Sequence, residues 1–77
     1  MTKEQFLEGK EFKTFEGSDY TYKLSVNNCI MIKHKTDICF TYHAYIIIIN
    51  DDDFVAVTNL MGKNQYSNFY FNDLILV

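Results

Sequence analysis

The chain contains no arginine, no proline and no tryptophan. All seven of its basic residues are lysines. The planar fork that grips phosphate or guanine edges at two points is therefore missing. With a formal charge of −3, this argues against a general nucleic-acid coat, which needs an excess of cations. Glycine is also sparse. Gly9, Gly17 and Gly62 are far apart, so no glycine-rich loop can cradle a phosphate. Ser18, Ser25 and Ser67 all lie outside the Gly-x-Ser-x-Gly turn of serine hydrolases. His34 and His43 have no acidic partner in register. These absences exclude the familiar routes to catalysis, and the expectation is a protein that is not an enzyme.

No apolar run approaches the roughly 18 residues of a membrane span. Met1 to Phe6 lacks the apolar core of a signal peptide. The expected location is the cytoplasm of the producing or infected bacterial cell, with no membrane partner. Cys29 and Cys39 then read as free thiols rather than a disulfide.

What the chain does have is Lys, Asn, Ile, Tyr and Phe in abundance. These residues have A/T-rich codons, which suggests an A/T-rich genome of bacteriophage or mobile-element type. Hydrophobic residues make up 48% and aromatics 17%, enough to fold without staples. The 77 residues read as a single domain spanning 1–77, and a domain this small buries only about 60% of its unfolded surface.

The most constraining stretch is Tyr45-Ile46-Ile47-Ile48-Ile49, which runs into Asn50-Asp51-Asp52-Asp53. Successive side chains of a strand point to opposite faces. Four isoleucines in a row therefore make a strand that is apolar on both sides. One side must meet a barrel interior, a helix or a second copy of the chain, so a homodimer is among the expectations.

Thr2 and Gln5 have capping-box spacing, and Gly9 is placed to end a short helix over Lys3 to Glu8 that docks through Phe6 and Leu7. Phe12 to Phe15 reads as extended and 16–19 as a turn. Tyr20, Tyr22, Leu24 and Val26 alternate with polar residues, the best period-two signal in the chain. Asn27-Asn28 marks a hairpin. A loop that includes Cys29 pairs Val26 with Ile30, Leu24 with Ile32 and Tyr22 with His34, which keeps one face apolar. The next strand runs from Ile38 or Cys39 to Ile49, another from Phe54 to about Met61, and a last one from Tyr66 to Phe71. Gly62-Lys63-Asn64 is the turn before it, and Leu74 to Val77 is an apolar tail. The fold class is mainly β, α+β by count. A short N-terminal helix joins about five antiparallel strands in a small barrel or curled meander, SH3-like or OB-like, with the isoleucine strand central.

Cys29, His34, Cys39 and His43 are the ligand types of a tetrahedral zinc site. The close Cys-x2-Cys pair of a zinc knuckle is missing, however, and strand parity turns Cys29 and His34 to opposite faces. Neither a metal nor any other cofactor is expected. Asp51-Asp52-Asp53 lacks the glycine of a calcium loop and reads as a solvated turn. Lys23, Lys33 and Lys35 are candidates for single-stranded nucleic acid, with Tyr20, Tyr22, Tyr42 and Tyr45 as stacking surfaces. The charge balance disfavours this. Tyr22, His34, Tyr42 and His43 would suit a pocket for a small molecule or nucleotide.

Protein binding uses these features better, because Tyr, Phe and Met are enriched in interface cores. Six tyrosines and seven phenylalanines exceed what a small core hides. Tyr66, Phe69, Tyr70 and Phe71, with Tyr45 and Ile47, are the candidate partner-binding residues; the alternative is that the aromatics fill a small, aromatic-heavy core. The leading expectation is a non-catalytic inhibitor that binds and blocks a host protein such as a defence nuclease.

Overall fold

The computed structural model describes residues 1–37, 39 and 41–77. It is a mainly β protein: one short helix and seven antiparallel strands in a curled half-barrel. Helix α1 spans Lys3–Leu7. The strands are β1 (Phe12–Lys13), β2 (Tyr20–Ser25), β3 (Cys29–His34), β4 (Thr41–Ile49), β5 (Asp53–Leu60), β6 (Lys63–Tyr70) and β7 (Ile75–Leu76). Their order across the sheet is β6-β5-β4-β3-β2-β1-β7.

The helix is set by its cap. Thr2 Oγ1 accepts from the Gln5 amide at 3.1 Å, and Gln5 Oε1 accepts from the Thr2 amide at 2.8 Å. Five residues cannot hold a helix alone, so tertiary contact must. Phe6 supplies it, fully buried, while Leu7 stays half exposed. Docking through both residues is therefore corrected to Phe6 alone.

The described residues form seven strands, where about five are expected. The two added strands, β1 and β7, are only two residues each and pair Phe12 with Leu76 and Lys13 with Ile75. Such pieces carry no periodicity of their own. The β2–β3 register is also shifted. Leu24 faces Ile30, Tyr22 faces Ile32 and Tyr20 faces His34. The loop is Val26-Asn27-Asn28 rather than one that includes Cys29. Asn27 and Asn28 both take positive φ, 59° and 55°, which Asn tolerates. The shift is an even number of residues, so the expected faces survive. Between β5 and β6 the turn is Met61-Gly62, at φ 54° and 79°, the primed hairpin geometry. Strand β6 thus begins at Lys63, not Tyr66. The isoleucine strand begins at Thr41, not at Cys39, which lies in a turn; the alternative start at Ile38 lies outside the described residues.

Strand β4 lies inside the sheet, between β3 and β5. A bulge at Ile47 decides what its isoleucines do: Ile46 pairs with Ala56, but Ile48 pairs with Val55 and Ile49 with Phe54. The extra residue resets the alternation. Ile46 and Ile49 pack on the core, while Ile47 and Ile48 are about half exposed.

The sheet curls far enough that Tyr22 on β2 and Phe69 on β6 meet inside it, ring centroids 6.4 Å apart. One end of the curl is plugged by phenylalanines. Phe6 stacks on Phe54 at 4.5 Å and tilts against Phe71 at 5.4 Å and Phe12 at 5.9 Å. Leu74 is buried beside them. Chain segments from both ends tie the plug down. The Met1 ammonium donates to the carbonyls of Phe71 and Leu74, at 3.1 and 2.6 Å, and the Val77 amide donates to Glu11 O.

Candidate functional site

The same strands present two different surfaces. On the convex face, register aligns Cys29, Tyr45, Val57 and Tyr66 in one row across β3, β4, β5 and β6. Tyr45 is 58% exposed and Tyr66 is 64% exposed. Ile47, Ile48 and Tyr70 extend the exposed apolar area along β4 and β6. Contiguous patches of this kind mark interaction surfaces more often than isolated exposed residues do. Strand β6 is also an edge of the sheet. It is eight residues long, and all but one are exposed. Lys63 is its only charged residue. Edge strands are usually protected by charge, bulges or proline.

Four of the six expected partner-binding residues, Tyr45, Ile47, Tyr66 and Tyr70, lie on this exposed side. The other two do not. Phe71 is buried in the plug, and Phe69 stacks inward on Phe54 at 5.0 Å. Both face the core because Phe69 pairs directly with Phe54, and a tight 3-10 turn over Phe71–Asp73 folds Phe71 inward. Val55 and Val57 on this face are not among the expected residues, and Ile48 is expected only as part of the isoleucine run. The bulge that exposes Ile48 has no local sequence signal.

Lys23 and Lys33 lie diagonally across β2 and β3 on the convex side, because Lys23 faces Met31 and Thr21 faces Lys33. Lys35 is exposed beyond the end of β3. Of the four tyrosines expected to stack bases, only Tyr45 shares this convex side, on β4 rather than between the lysines. Tyr20, Tyr22 and Tyr42 line the inside of the curl. A basic track interleaved with aromatics is not assembled.

The thiol and imidazole set does not converge either. Among the described residues, no group of three or more His, Cys, Asp or Glu side chains is placed to hold a metal. Met31 pairs with His43, and Cys29 with Tyr45, on the convex face. His34 pairs with Tyr20, edge-on to its ring at 5.0 Å, and His34 Nδ1 accepts from the Thr36 and Asp37 amides. The exposed Cys39 sits in the following turn, its amide bonded to Asp37 Oδ1. Both cysteines are free thiols. The acidic turn is held by its own hydrogen bonds: Asn50 Nδ2 and Asn68 Nδ2 both donate to the Asp53 carboxylate.

The concave face forms a cup above the phenylalanine plug, with a cavity of about 260 Å³. Its floor and walls include Phe54, Ile30, Ile32, Tyr42 and Phe69. Ala44 and Ala56 also line it. These are the only two alanines in the chain, and they are diagonal neighbours, since Ala56 pairs with Ile46 on the strand that carries Ala44. Thr58, Ser67 and Tyr20 add hydroxyls. Among the described residues, no charged side chain lines the cup. Burial holds the Tyr22 phenol above its usual value of 10.0, with a push from neighbouring Tyr20 and against a downward pull from the Thr14 hydrogen bond. Of the residues expected to form a pocket, Tyr22 and Tyr42 line the cup. His43 is on the other face, beside a shallow groove with Met31 and Cys29.

No helix among the described residues is long and apolar enough to cross a membrane. A scan of family models matches none, and searches of curated proteins and of solved structures return no match.

Proposed function

We propose that this chain is a non-catalytic interaction protein that docks on a partner protein through the convex face of β4, β5 and β6. The observation that carries the reading is the row Tyr45, Val57 and Tyr66, in register across three strands with both tyrosines more than half exposed. Tyrosine supplies large, rigid contact area and is enriched in interface cores. The unprotected edge of β6 adds a second means of attachment, because an extended segment of the partner can continue the sheet there. Lys23 and Lys33 lie on the same face on the β2 and β3 side of the patch, so the partner's complementary surface is apolar with carboxylates toward that side. The A/T-rich coding bias extends the proposal to a phage-type protein that binds and blocks a host protein such as a defence nuclease.

The test pairs the wild-type chain with a Tyr45→Ser, Tyr66→Ser double variant. Each is presented to host lysate, and the captured protein is then purified and recombined with both. The proposal expects a saturable complex of fixed stoichiometry that the variant loses while its melting temperature holds. A complex that the variant retains overturns the assignment to this face. Self-association of the wild type through these residues, seen by native mass spectrometry in place of any other complex, would make a second copy the partner instead.

A further inference from the structure

We infer that the concave cup is a binding site for a small, neutral, planar ring compound that carries one hydroxyl or carbonyl group. The inference is independent of the convex face and rests on how the hollow is made. The chain has seven phenylalanines, and it packs the plug end of the curl with four of them in mutual contact. Two residues beyond Phe54 on β5 it places Ala56, diagonal to Ala44 on β4, and these are its only two alanines. Large side chains surround them and they face one space. Closely packed interiors avoid such space, and well-formed apolar pockets with a few polar groups are the usual shape of ligand sites.

Size and chemistry narrow the ligand. An apolar cavity of about 150 Å³ is known to hold benzene, so about 260 Å³ suits one or two fused rings. The facing walls, Tyr22, Tyr42 and Phe69, favour stacking or edge contact with a flat ring. Hydroxyls from Thr58 and Ser67 line the space on β5 and β6 and can bond a single polar substituent. Among the described residues, no cation or carboxylate lines the cup, so a phosphate or carboxylate ligand would be desolvated without a counter-charge. This excludes nucleotides as occupants and sets the cup apart from the lysines of the convex face.

The experiment titrates 2-naphthol into the isotopically labelled chain and follows amide chemical shifts, with 2-naphthalenesulfonate as the charged counterpart. Saturable shifts at Ala44, Ala56 and Ser67 are expected for 2-naphthol. The sulfonate should bind more weakly by roughly tenfold or more. An Ala44→Leu variant fills the cavity and should weaken 2-naphthol binding by a similar factor. If that variant fails to fold, Ala56→Val serves in its place. Absence of saturable binding overturns the inference. So do shifts confined to convex residues such as Tyr45 and Tyr66, equal affinity for the sulfonate, or undiminished binding to a folded cavity-filled variant.

Discussion

Concave and convex faces of this sheet are built from alternate residues of the same strands, yet they differ in almost every physical respect. Inside, Phe54, Ile30 and Ala56 are nearly inaccessible, and the phenylalanine rings of the plug contact one another within 6 Å. Outside, Tyr45, Ile47, Ile48 and Tyr66 are about half exposed or more. Apolar character alone therefore does not say where stability resides. The inner set resists unfolding, because removing it opens a cavity in a packed region. The outer set contributes little to the fold and is available for association.

That contrast can be broken most forcefully from the inside. Phe54 is fully buried and stacks on Phe6 and Phe69. Phe54→Ala should cost about 3–5 kcal/mol, a large share of the stability of a domain this size. Urea unfolding would measure it, and a cost below about 1 kcal/mol would deny the plug its role.

A smaller effect comes from Tyr22, whose phenol ionises less readily in the folded chain because it is buried. Below its usual pKa of 10.0 the phenol is neutral whether the chain is folded or unfolded, and its contribution is fully present. As pH rises past that value the unfolded chain ionises first, and the contribution is lost through the raised folded pKa. The melting temperature should therefore fall across the alkaline range, and Tyr22→Phe should fall less steeply. Identical profiles would mean that Tyr22 is not held in a desolvated inner position.

Much of this fold is legible in the sequence. The capping box at Thr2 and Gln5, the alternation from Tyr20 to Leu24 and the Asn27-Asn28 turn all act through neighbouring residues, and all form. What is not legible depends on partners distant along the chain. Strand β7 exists only because β1 supplies a ladder for it. Strand β6 begins with Lys63, Asn64 and Gln65, which lack any apolar alternation, and β5 organises them through pairs such as Asn59 with Asn64. The candidate site divides in the same way. Tyr45, Ile47, Tyr66 and Tyr70 are apparent as surplus apolar residues, but no local pattern separates them from Phe69 and Phe71. The cup is hidden for a further reason: Ala44 and Ala56 become neighbours only through the β4–β5 register, and an alanine in a strand carries little signal alone.

The division between the faces is tested most directly at two adjacent residues. Ile46 packs on the core and Ile47 is 53% exposed on the bulge. Ile46→Asp and Ile47→Asp make the same chemical change one position apart, and urea unfolding would compare them. The account predicts that Ile46→Asp loses several kcal/mol, since it sets an unpaired charge in a partly buried position against the core, while Ile47→Asp loses about 1 kcal/mol or less. Equal losses, or a larger loss at Ile47, would contradict the assignment of stability to one face and association to the other.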